Sequence, residues 1–205
     1  MDQGSRRRVF LASGSPRRRT LAEAEGWDVV VVPPPDRVER EAPPPGPDEP
    51  LGRYVARLAR AKGEAVAAVL AARGAAGTVL ACDTVGELDG MPLGKPVDRD
   101  DARRMLRLLS GRTHRVLTGV WLAALAPDGP PPPPPREAVD ESLLAMDPLG
   151  EEFLEWYLDS GLWRGKAGAC GFQDERLPLR LVAGSPSNVV GLPLELLHEM
   201  LAQVG

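Results

Sequence analysis

Hydrophobic and polar positions alternate along the chain in two patterns, which predict helices and strands in turn. Between residues 51 and 72 the apolar side chains recur with the 3.6-residue period of an amphipathic helix. The short apolar runs at 9–12 and 78–82 are too brief for helices and predict buried strands. The same criteria predict further strands at 29–32, 113–126, 137–146 and 177–183, and further helices at 17–25, 98–109, 147–161 and 193–201.

Turn and loop signals separate these elements. Asp89 and Gly90 predict a hairpin-like turn. Three proline-rich stretches, at 33–35, 43–50 and 130–135, predict surface loops because proline lacks an amide hydrogen. Strands and helices interleave, yet the central strands look hairpin-connected. The pattern therefore predicts a mixed sheet flanked by helices, an α/β or α+β fold.

Length and charge narrow the class of protein. The chain has 205 residues, 43% of them apolar, and a net charge of -4, which predicts one globular domain, or two tightly fused lobes, over residues 1–205. This mild acidity disfavours a nucleic-acid-binding protein, because such proteins neutralise phosphates with an excess of basic groups. No apolar stretch approaches the roughly 20 residues of a membrane-spanning helix, and the N-terminal segment lacks the features of a secretory signal. We therefore expect a cytoplasmic protein that binds no membrane.

The reactive residues exclude several kinds of site. The chain has two cysteines and two histidines, which provide no zinc-ligand spacing, so we expect any metal to have oxygen ligands. The glycine motifs of P-loop and Rossmann nucleotide-binding proteins are absent, as is the G-x-S-x-G motif of serine hydrolases. If phosphate is bound, it must be held in another way.

The segment from Ser13 to Arg18 has the features of an anion site. Small residues precede a predicted helix N-terminus, where Ser15 is the N-cap and Pro16 is the first helical residue. Backbone amides at such a terminus attract anions, and Arg17 and Arg18 can hold phosphate oxygens. A capped surface helix with solvated arginines would give the same sequence, so both interpretations stand.

Three lysines are candidates for further contacts with an anion. Lys62 lies on the apolar stripe of the helix predicted at 51–72, where its side chain either extends to the rim or places its ammonium group in a cleft. Lys95 and Lys166 are flanked by small residues or proline, which let a ligand approach closely. Each of these two could equally be an ordinary loop lysine.

Acidic residues supply the complementary chemistry. Asp83 follows the strand predicted at 78–82, and a carboxylate in such a place is usually paired, metal-bound or catalytic, with a turn cap as the alternative. Glu39 is a second candidate carboxylate, although Glu41 competes with it. Carboxylates of this kind, with water and substrate phosphate, would suit Mg²⁺. Together with the basic residues they indicate a small polyanionic ligand.

Motifs spread along the chain resemble those of one protein family. They are LASGSPRR at 11–18, CDTV at 82–85, GKP at 94–96, LSGRTH at 109–114 with TGV at 118–120, KAG at 166–168 and NVVGLP at 188–193. In this combination and order the chain resembles the Maf family over almost its whole length. The resemblance implies a fold similar to that of inosine triphosphate pyrophosphatases: an elongated mixed sheet flanked by helices, with two lobes and a central cleft.

The resemblance also implies an activity and a set of site residues. Maf proteins hydrolyse nucleoside triphosphates between the α and β phosphates, which yields the monophosphate and pyrophosphate, and they use a divalent metal, Mg²⁺ or Mn²⁺. Asp83 matches the family's proton acceptor, which activates the attacking water, and Glu39 and Asp83 are the expected metal ligands. The expected phosphate-binding residues are Ser13, Arg17, Arg18, Lys62, Lys95 and Lys166.

Substrate preference can also be read from the resemblance. The branch of the family that acts on dTTP and UTP resembles this chain at Arg17, Thr84 and Gln173. The side-chain amide of Gln173 can both donate a hydrogen bond to, and accept one from, the edge of uracil or thymine. We therefore expect a dTTP/UTP pyrophosphatase.

Three positions depart from the family pattern and keep alternatives open. Gly165 replaces the usual Asp before the KAG motif, Cys170 replaces the usual Tyr after it, and Gly86 replaces a common Val. One alternative is the same reaction on a modified or purine nucleotide. The other is a nucleotide-binding regulator of cell division with little turnover. A homodimer is suggested by analogy with the family only.

Overall fold

The computed structural model describes residues 7–128 and 130–202, which contain seven strands and seven α-helices. The strands are β1 (Arg8–Leu11), β2 (Asp28–Val31), β3 (Gly77–Leu88), β4 (Met91–Leu93), β5 (Thr113–Leu125), β6 (Arg136–Met146) and β7 (Leu179–Ala183). The helices are α1 (Pro16–Ala24), α2 (Asp36–Arg40), α3 (Leu51–Ala71), α4 (Arg99–Leu109), α5 (Glu151–Ser160), α6 (Pro186–Val190) and α7 (Leu194–Ala202). Within these described residues, no helix combines the length and the apolar character needed to cross a bilayer.

The strands form one mixed sheet. Its order is β2-β1-β3-β5-β6-β7, and β4 pairs with β3 outside this path. Strand β1 runs parallel to both β2 and β3, whereas β4 is antiparallel to β3 and β7 is antiparallel to β6. A seven-stranded mixed sheet flanked by helices confirms the predicted fold class.

Every predicted strand and helix is present, with ends that differ by a few residues in most cases. Strand β3 is the largest difference, because it continues to Leu88 and pairs with β4 across the predicted turn. Asp89 and Gly90 have φ of 52° and 82° in that turn, as a tight hairpin connection requires. The three proline-rich stretches lie outside strands and helices, as predicted.

Two helix N-termini, those of α4 and α1, carry residues that the sequence favours at a cap. The side chain of Asp98 accepts a hydrogen bond from the backbone N–H of Asp101 at 2.8 Å and caps α4. Ser15 and Pro16 hold the N-cap and first positions of α1, as predicted, but the Ser15 hydroxyl makes no capping hydrogen bond. Instead, the backbone N–H of Ser15 donates to Ser13 Oγ at 3.2 Å. The local turn is therefore closed by Ser13.

The chain divides into two compact units, and the division falls inside β3, β5 and β6. The first unit contains the chain up to Asp83, the segment Gly119–Val139 and the chain from Leu194 onward. The second unit contains Thr84–Thr118 and Asp140–Pro193. Each unit has its own apolar core: β1, α3, β3 and β5 supply the first, and α4 and α5 with neighbouring segments supply the second.

In the first unit, two glycines let α3 pack closely on β5. A Cβ atom added to Gly63 would lie 2.1 Å from the ring of Trp121. A Cβ atom added to Gly119 would lie 2.4 Å from the backbone of Val55. Side chains at both positions are excluded, so helix and strand are held at short range. This packing fixes the face of α3 that carries Lys62.

Candidate functional site

A lysine and two carboxylates meet in the first unit. Lys62 Nζ lies 2.5 Å from Asp83 Oδ1 and 2.6 Å from Glu39 Oε1. The exposed fractions of the side chains are 8% for Lys62, 14% for Asp83 and 53% for Glu39. We refer to Glu39, Lys62 and Asp83 as the Lys62 cluster. The cluster combines a largely buried ion pair, Lys62 with Asp83, and a half-exposed carboxylate, Glu39.

Local structure explains how these residues meet. Lys62 belongs to the buried face of α3, together with Val55, Ala59 and Val66. Strand β3 is buried up to Cys82, and its exposure to solvent increases at the next residue, Asp83. The ammonium group of Lys62 therefore contacts carboxylates instead of extending to the rim, which decides between the two interpretations of its sequence position. Glu39 reaches this ammonium from the short helix α2.

The surroundings of the cluster disfavour a thiol nucleophile. Burial raises the pKa of the Cys82 thiol to about 11, and the charges of Arg18, Asp83 and Lys62 also act on it. The thiol next to Asp83 is thus protonated at neutral pH. Burial, and secondarily the charge of Asp83, raise the pKa of Tyr54, so its phenol stays neutral as well.

The Ser13–Arg18 segment forms a compact polar turn in the same unit. Arg18 Nη1 donates a hydrogen bond to Ser13 Oγ at 3.1 Å, and Ser13 is buried. Arg17 and Arg18 are half-buried, whereas Arg19 is exposed and pairs with Glu23. The structure therefore joins Ser13 and Arg18 and turns Arg19 away from them. Arg18 also lies within electrostatic reach of Cys82, next to Asp83 in the chain.

The two carboxylates of the Lys62 cluster fit a hard divalent cation. Glu39 and Asp83 each place an oxygen on one shared cationic group, the Lys62 ammonium, so both reach a common point. Mg²⁺ is commonly bound by one or two carboxylates, with water and substrate phosphates as its other ligands. Among residues 7–128 and 130–202, no group of three or more His, Cys, Asp or Glu side chains could hold a metal ion. The two carboxylates therefore suit a divalent cation that takes its other ligands from water and phosphate.

The remaining predicted residues belong to the second unit. The hydroxyl oxygens of Thr84 and Thr118 are 3.0 Å apart, and Thr118 donates to the backbone carbonyl of Asn188 at 3.2 Å. Lys95 and Gln173 are exposed. Thr84 thus forms part of a buried polar network, while Lys95 and Gln173 have solvent-accessible side chains.

Lys166, the last predicted residue, forms a second buried cluster. Its Nζ lies 2.5 Å from both carboxylate oxygens of Asp174, and the Tyr157 hydroxyl donates to Asp174 Oδ2 at 2.5 Å. The exposed fractions of the Lys166 and Asp174 side chains are 9% and 6%. Burial, with help from Asp174, raises the pKa of Tyr157 far above its usual value, so its hydroxyl remains a donor. We refer to Tyr157, Lys166 and Asp174 as the Lys166 cluster.

Sequence reasoning missed two members of this cluster, Tyr157 and Asp174. The sequence analysis singles out neither Tyr157, within the helix predicted at 147–161, nor Asp174. Lysine is rare in this chain, with three lysines among 25 basic residues, and this rarity draws attention to Lys166 but not to its partners. Two of them, Lys62 and Lys166, are buried in ion pairs.

The structure joins some of the predicted site residues and leaves their roles as predictions. It joins Glu39, Lys62 and Asp83 in one cluster and Ser13 with Arg18 in another. The first unit also contains Arg17, and the second contains Thr84, Lys95, Lys166 and Gln173. Proton transfer, metal binding and phosphate binding by these residues remain predictions.

Comparison with known proteins identifies the family. The chain is 44% identical over 199 residues to a dTTP/UTP pyrophosphatase of Rhodopirellula baltica, and the match covers 94% of this chain and 80% of that protein. It is 42% identical to a dTTP/UTP pyrophosphatase of Anaeromyxobacter sp. strain Fw109-5, with coverage of 97% and 90%. Among solved structures, a HAM1 protein from Coxiella burnetii matches with a TM-score of 0.45 and 15% identity over 96% of this chain and 99% of that one. Residues 8–204 match the family described as Maf-like protein, which confirms the resemblance in the motifs: the chain belongs to the Maf-like protein family.

Proposed function

We propose that this protein hydrolyses dTTP and UTP to the nucleoside monophosphate and pyrophosphate. The observation that carries the proposal is the Lys62 cluster, in which Asp83, directly after the buried first half of β3, has a lysine and a second carboxylate beside it. The family match and the relatives named dTTP/UTP pyrophosphatase supply the substrate class. Within this family, such a cluster is suited to the hydrolysis of a polyanionic substrate.

In this proposal Asp83 is the general base. It accepts a proton from a water molecule whose oxygen forms a bond to the α-phosphorus. The bond between that phosphorus and the bridging oxygen breaks, and pyrophosphate leaves with the electron pair. Lys62 holds the Asp83 carboxylate in place through its 2.5 Å contact, which fixes the direction from which the proton is taken.

Basic residues neutralise the phosphate charge as it shifts toward the leaving group. In the proposal, Ser13, Arg17, Arg18 and Lys95 bind phosphate oxygens. Guanidinium groups suit this task because they can contact two phosphate oxygens at once. Electrostatic stabilisation of this kind is usually the largest contribution to phosphoryl transfer catalysis.

Glu39 and Asp83 would hold a divalent cation, Mg²⁺ or Mn²⁺. When bound, the cation would screen the charge of the triphosphate and of the leaving pyrophosphate. Glu39 is suited to this role because its side chain is half-exposed and can follow an incoming substrate. Lys62 keeps the two carboxylates close together in the meantime.

The proposed preference for uracil and thymine depends on Arg17, Thr84 and Gln173. Gln173 has an exposed amide that can pair with the donor and acceptor groups of either base. Thr84 is held by Thr118, whose side chain is completely buried. A site that hydrogen-bonds a base edge discriminates strongly against bases with a different edge, because its polar groups are then left unpaired.

A pyrophosphate-release assay with a panel of nucleotides tests this function. The panel contains the standard ribo- and deoxyribonucleoside triphosphates and several modified ones, each with Mg²⁺, with Mn²⁺ and with chelator. We expect the highest kcat/KM for dTTP and UTP and no release in chelator. Preference for a purine or modified nucleotide would replace the proposed substrate, and binding of UTP without pyrophosphate release would favour the regulator alternative.

A further inference from the structure

Gln173 lies in a turn that is tied down at both of its ends. The backbone N–H of Asp174 donates to the carbonyl of Gly171 at 3.0 Å, and the N–H of Leu177 donates to the carbonyl of Asp174 at 2.7 Å. Gln173 itself is exposed, whereas Gly171 is buried and Asp174 is nearly so. The exposed amide of Gln173 therefore lies between two residues, Gly171 and Asp174, that are held in place.

Lys166 contacts both anchors. Its ammonium group lies 2.5 Å from each carboxylate oxygen of Asp174. A Cβ atom added to Gly171 would lie 2.8 Å from Nζ and from Cδ of Lys166, so the lysine stem packs directly on this glycine. Any larger residue at position 171 would displace the lysine. The side chain of Lys166 thus fills the inside of the turn that carries Gln173.

Tyr157 contacts the Asp174 anchor from α5. Its hydroxyl donates to Asp174 Oδ2 at 2.5 Å. Tyr157 is 1% exposed and belongs to the apolar core of the second unit. The turn is therefore connected to the core through one phenol and one lysine.

Charge distribution distinguishes this arrangement from a phosphate-binding lysine. In the Lys166 cluster, one ammonium group faces one carboxylate that contacts it through both oxygens, and both side chains are more than nine-tenths buried. The positive charge is already compensated inside the protein. Transferring this ammonium to a phosphate would leave the Asp174 carboxylate buried without its cation, which is strongly unfavourable.

We propose that Lys166, Asp174 and Tyr157 are positioning residues that hold Gln173 in place and thereby set the preference for the nucleobase. The inference rests on the proposed function and on the predicted role of Gln173. It assigns Lys166 to the support of the turn instead of to the phosphates. A contact with phosphate is shared by all nucleoside triphosphates, whereas the position of Gln173 matters only for the base.

UTP and CTP provide the test because they carry the same ribose and phosphates and differ at the base edge. We expect Tyr157→Phe, which removes the hydroxyl and keeps the ring, to lower the ratio of kcat/KM for UTP to that for CTP by about fivefold, the typical value of one hydrogen bond. The loss is expected in KM, with kcat for UTP retained. Where CTP turns over too slowly to measure, its inhibition constant against UTP, compared with the KM for UTP, reports the binding part of the preference.

A double-mutant cycle shows whether Tyr157 acts through Gln173. In a Gln173→Ala background, Tyr157→Phe is expected to cause no further change in the UTP to CTP ratio. Asp174→Asn serves as a second variant of the cluster, and its expected effect has the same sign. Asp159→Asn, at an exposed carboxylate of α5 paired with Arg99, is the control and is expected to leave the ratio unchanged.

Two results would overturn the proposal. One is an equal loss of kcat/KM for UTP and CTP, which is the signature of a phosphate contact or of general damage. The other is an effect of Tyr157→Phe that persists in full without Gln173. If the wild-type protein releases no pyrophosphate from UTP, the proposed function fails, and the same variants then test the positioning role through the ratio of UTP to CTP dissociation constants.

Discussion

The two units each contain a buried lysine paired with an aspartate, and the pairs differ in what surrounds them. In the Lys62 cluster two carboxylates share one ammonium, and one of them, Glu39, has half of its side chain in solvent. In the Lys166 cluster one carboxylate is bound by an ammonium and a phenol, and both charged side chains are more than nine-tenths buried. The same ion pair is open to a ligand in the first case and closed in the second.

Under the proposed function, this comparison separates a reactive site from a structural one. Two carboxylates around one lysine carry an excess of negative charge, which suits a further cation and, in the proposal, the triphosphate bound with it. One carboxylate and one lysine balance each other, so the Lys166 cluster has no charge left for a ligand. The same residue types therefore indicate different roles, depending on how many carboxylates face the lysine and how exposed their side chains are.

The largest expected effect is the loss of protein stability when the lysine of the Lys166 cluster is removed. Lys166→Met leaves the Asp174 carboxylate buried without its cation, so we expect the free energy of unfolding to fall by about 4 kcal/mol. Urea unfolding followed by circular dichroism measures this loss. Lys95→Met is the matched control, because it removes an exposed lysine from the same unit and should change stability by less than about 0.5 kcal/mol. Equal stability of the two variants would show that the Lys166 cluster is not closed.

A buried ionisable group without a partner extends the comparison. His114 is 4% exposed, and among the residues that the structure describes neither of its ring nitrogens has a hydrogen-bond partner. Burial lowers the pKa of His114 to about 4, although the charge of Glu87 opposes the shift. The unfolded chain, with an ordinary histidine pKa of about 6.5, therefore binds a proton between pH 4 and 6.5 that the folded chain does not.

The sign of the pH dependence follows from this difference. Above pH 6.5, His114 is neutral in both the folded and the unfolded chain, and the protein has its full stability. As the pH drops toward 4, protonation of the unfolded chain lowers the free energy of unfolding by up to about 3 kcal/mol. Urea titrations at several pH values measure the slope. His114→Leu is expected to flatten it, while His198→Gln, at the exposed histidine that contacts Glu25, controls for the loss of a histidine. An unchanged slope in His114→Leu would contradict the assignment.

Removal of the lysine from the open cluster is expected to affect catalysis more than folding. In Lys62→Met, Asp83 loses the group that holds it in place, and we expect kcat for UTP to fall on the order of a hundredfold. Destabilisation should be smaller than for Lys166→Met because Glu39 can turn toward solvent. Steady-state pyrophosphate release and urea unfolding on the same samples measure both effects. If Lys62→Met keeps a normal kcat but loses as much stability as Lys166→Met, the Lys62 cluster has a structural role like that of the Lys166 cluster.

The smallest expected effect concerns the metal. Glu39→Gln removes one of the two proposed carboxylate ligands, so we expect the Mg²⁺ concentration for half-maximal activity to rise by about tenfold. Activity titrations with Mg²⁺ measure the shift. Glu41→Gln provides a matched control, since this exposed residue lies two positions further along at the end of α2. If the two variants respond alike, Glu39 has no special role in metal binding.

The fold and the candidate site were predictable to different degrees. Periodicity located the long elements, because α3 and β3 bury continuous apolar faces. Periodicity assigns Lys62 to the buried face of α3. It does not show which groups the Lys62 ammonium contacts, because these partners are distant in sequence. Helix α2 has five residues and no usable period, so Glu39 and Glu41 remained equivalent until the structure placed Glu39 against Lys62.

The Lys166 cluster was hidden from the sequence for another reason. Lys166 and Asp174 are separated by eight positions, and their contact depends on a turn in which Gly168 and Ala169 have φ of 65° and 60°. Gly165, one of the departures from the family pattern, has a φ of 68° in the same region, a conformation that glycine adopts readily. Neither period nor motif predicts such a backbone path, so the partner of Lys166 could be found only from the structure.

The central claim is that Asp83 activates water for pyrophosphate release, and Asp83→Asn tests it most directly. At saturating Mg²⁺, which offsets the loss of one proposed metal ligand, the variant should still bind UTP and should release pyrophosphate slower by at least about a hundredfold. Asp28→Asn, at an exposed carboxylate of the first unit that pairs with Arg8, should behave as the wild type. Release of pyrophosphate by Asp83→Asn at the wild-type rate would contradict the account.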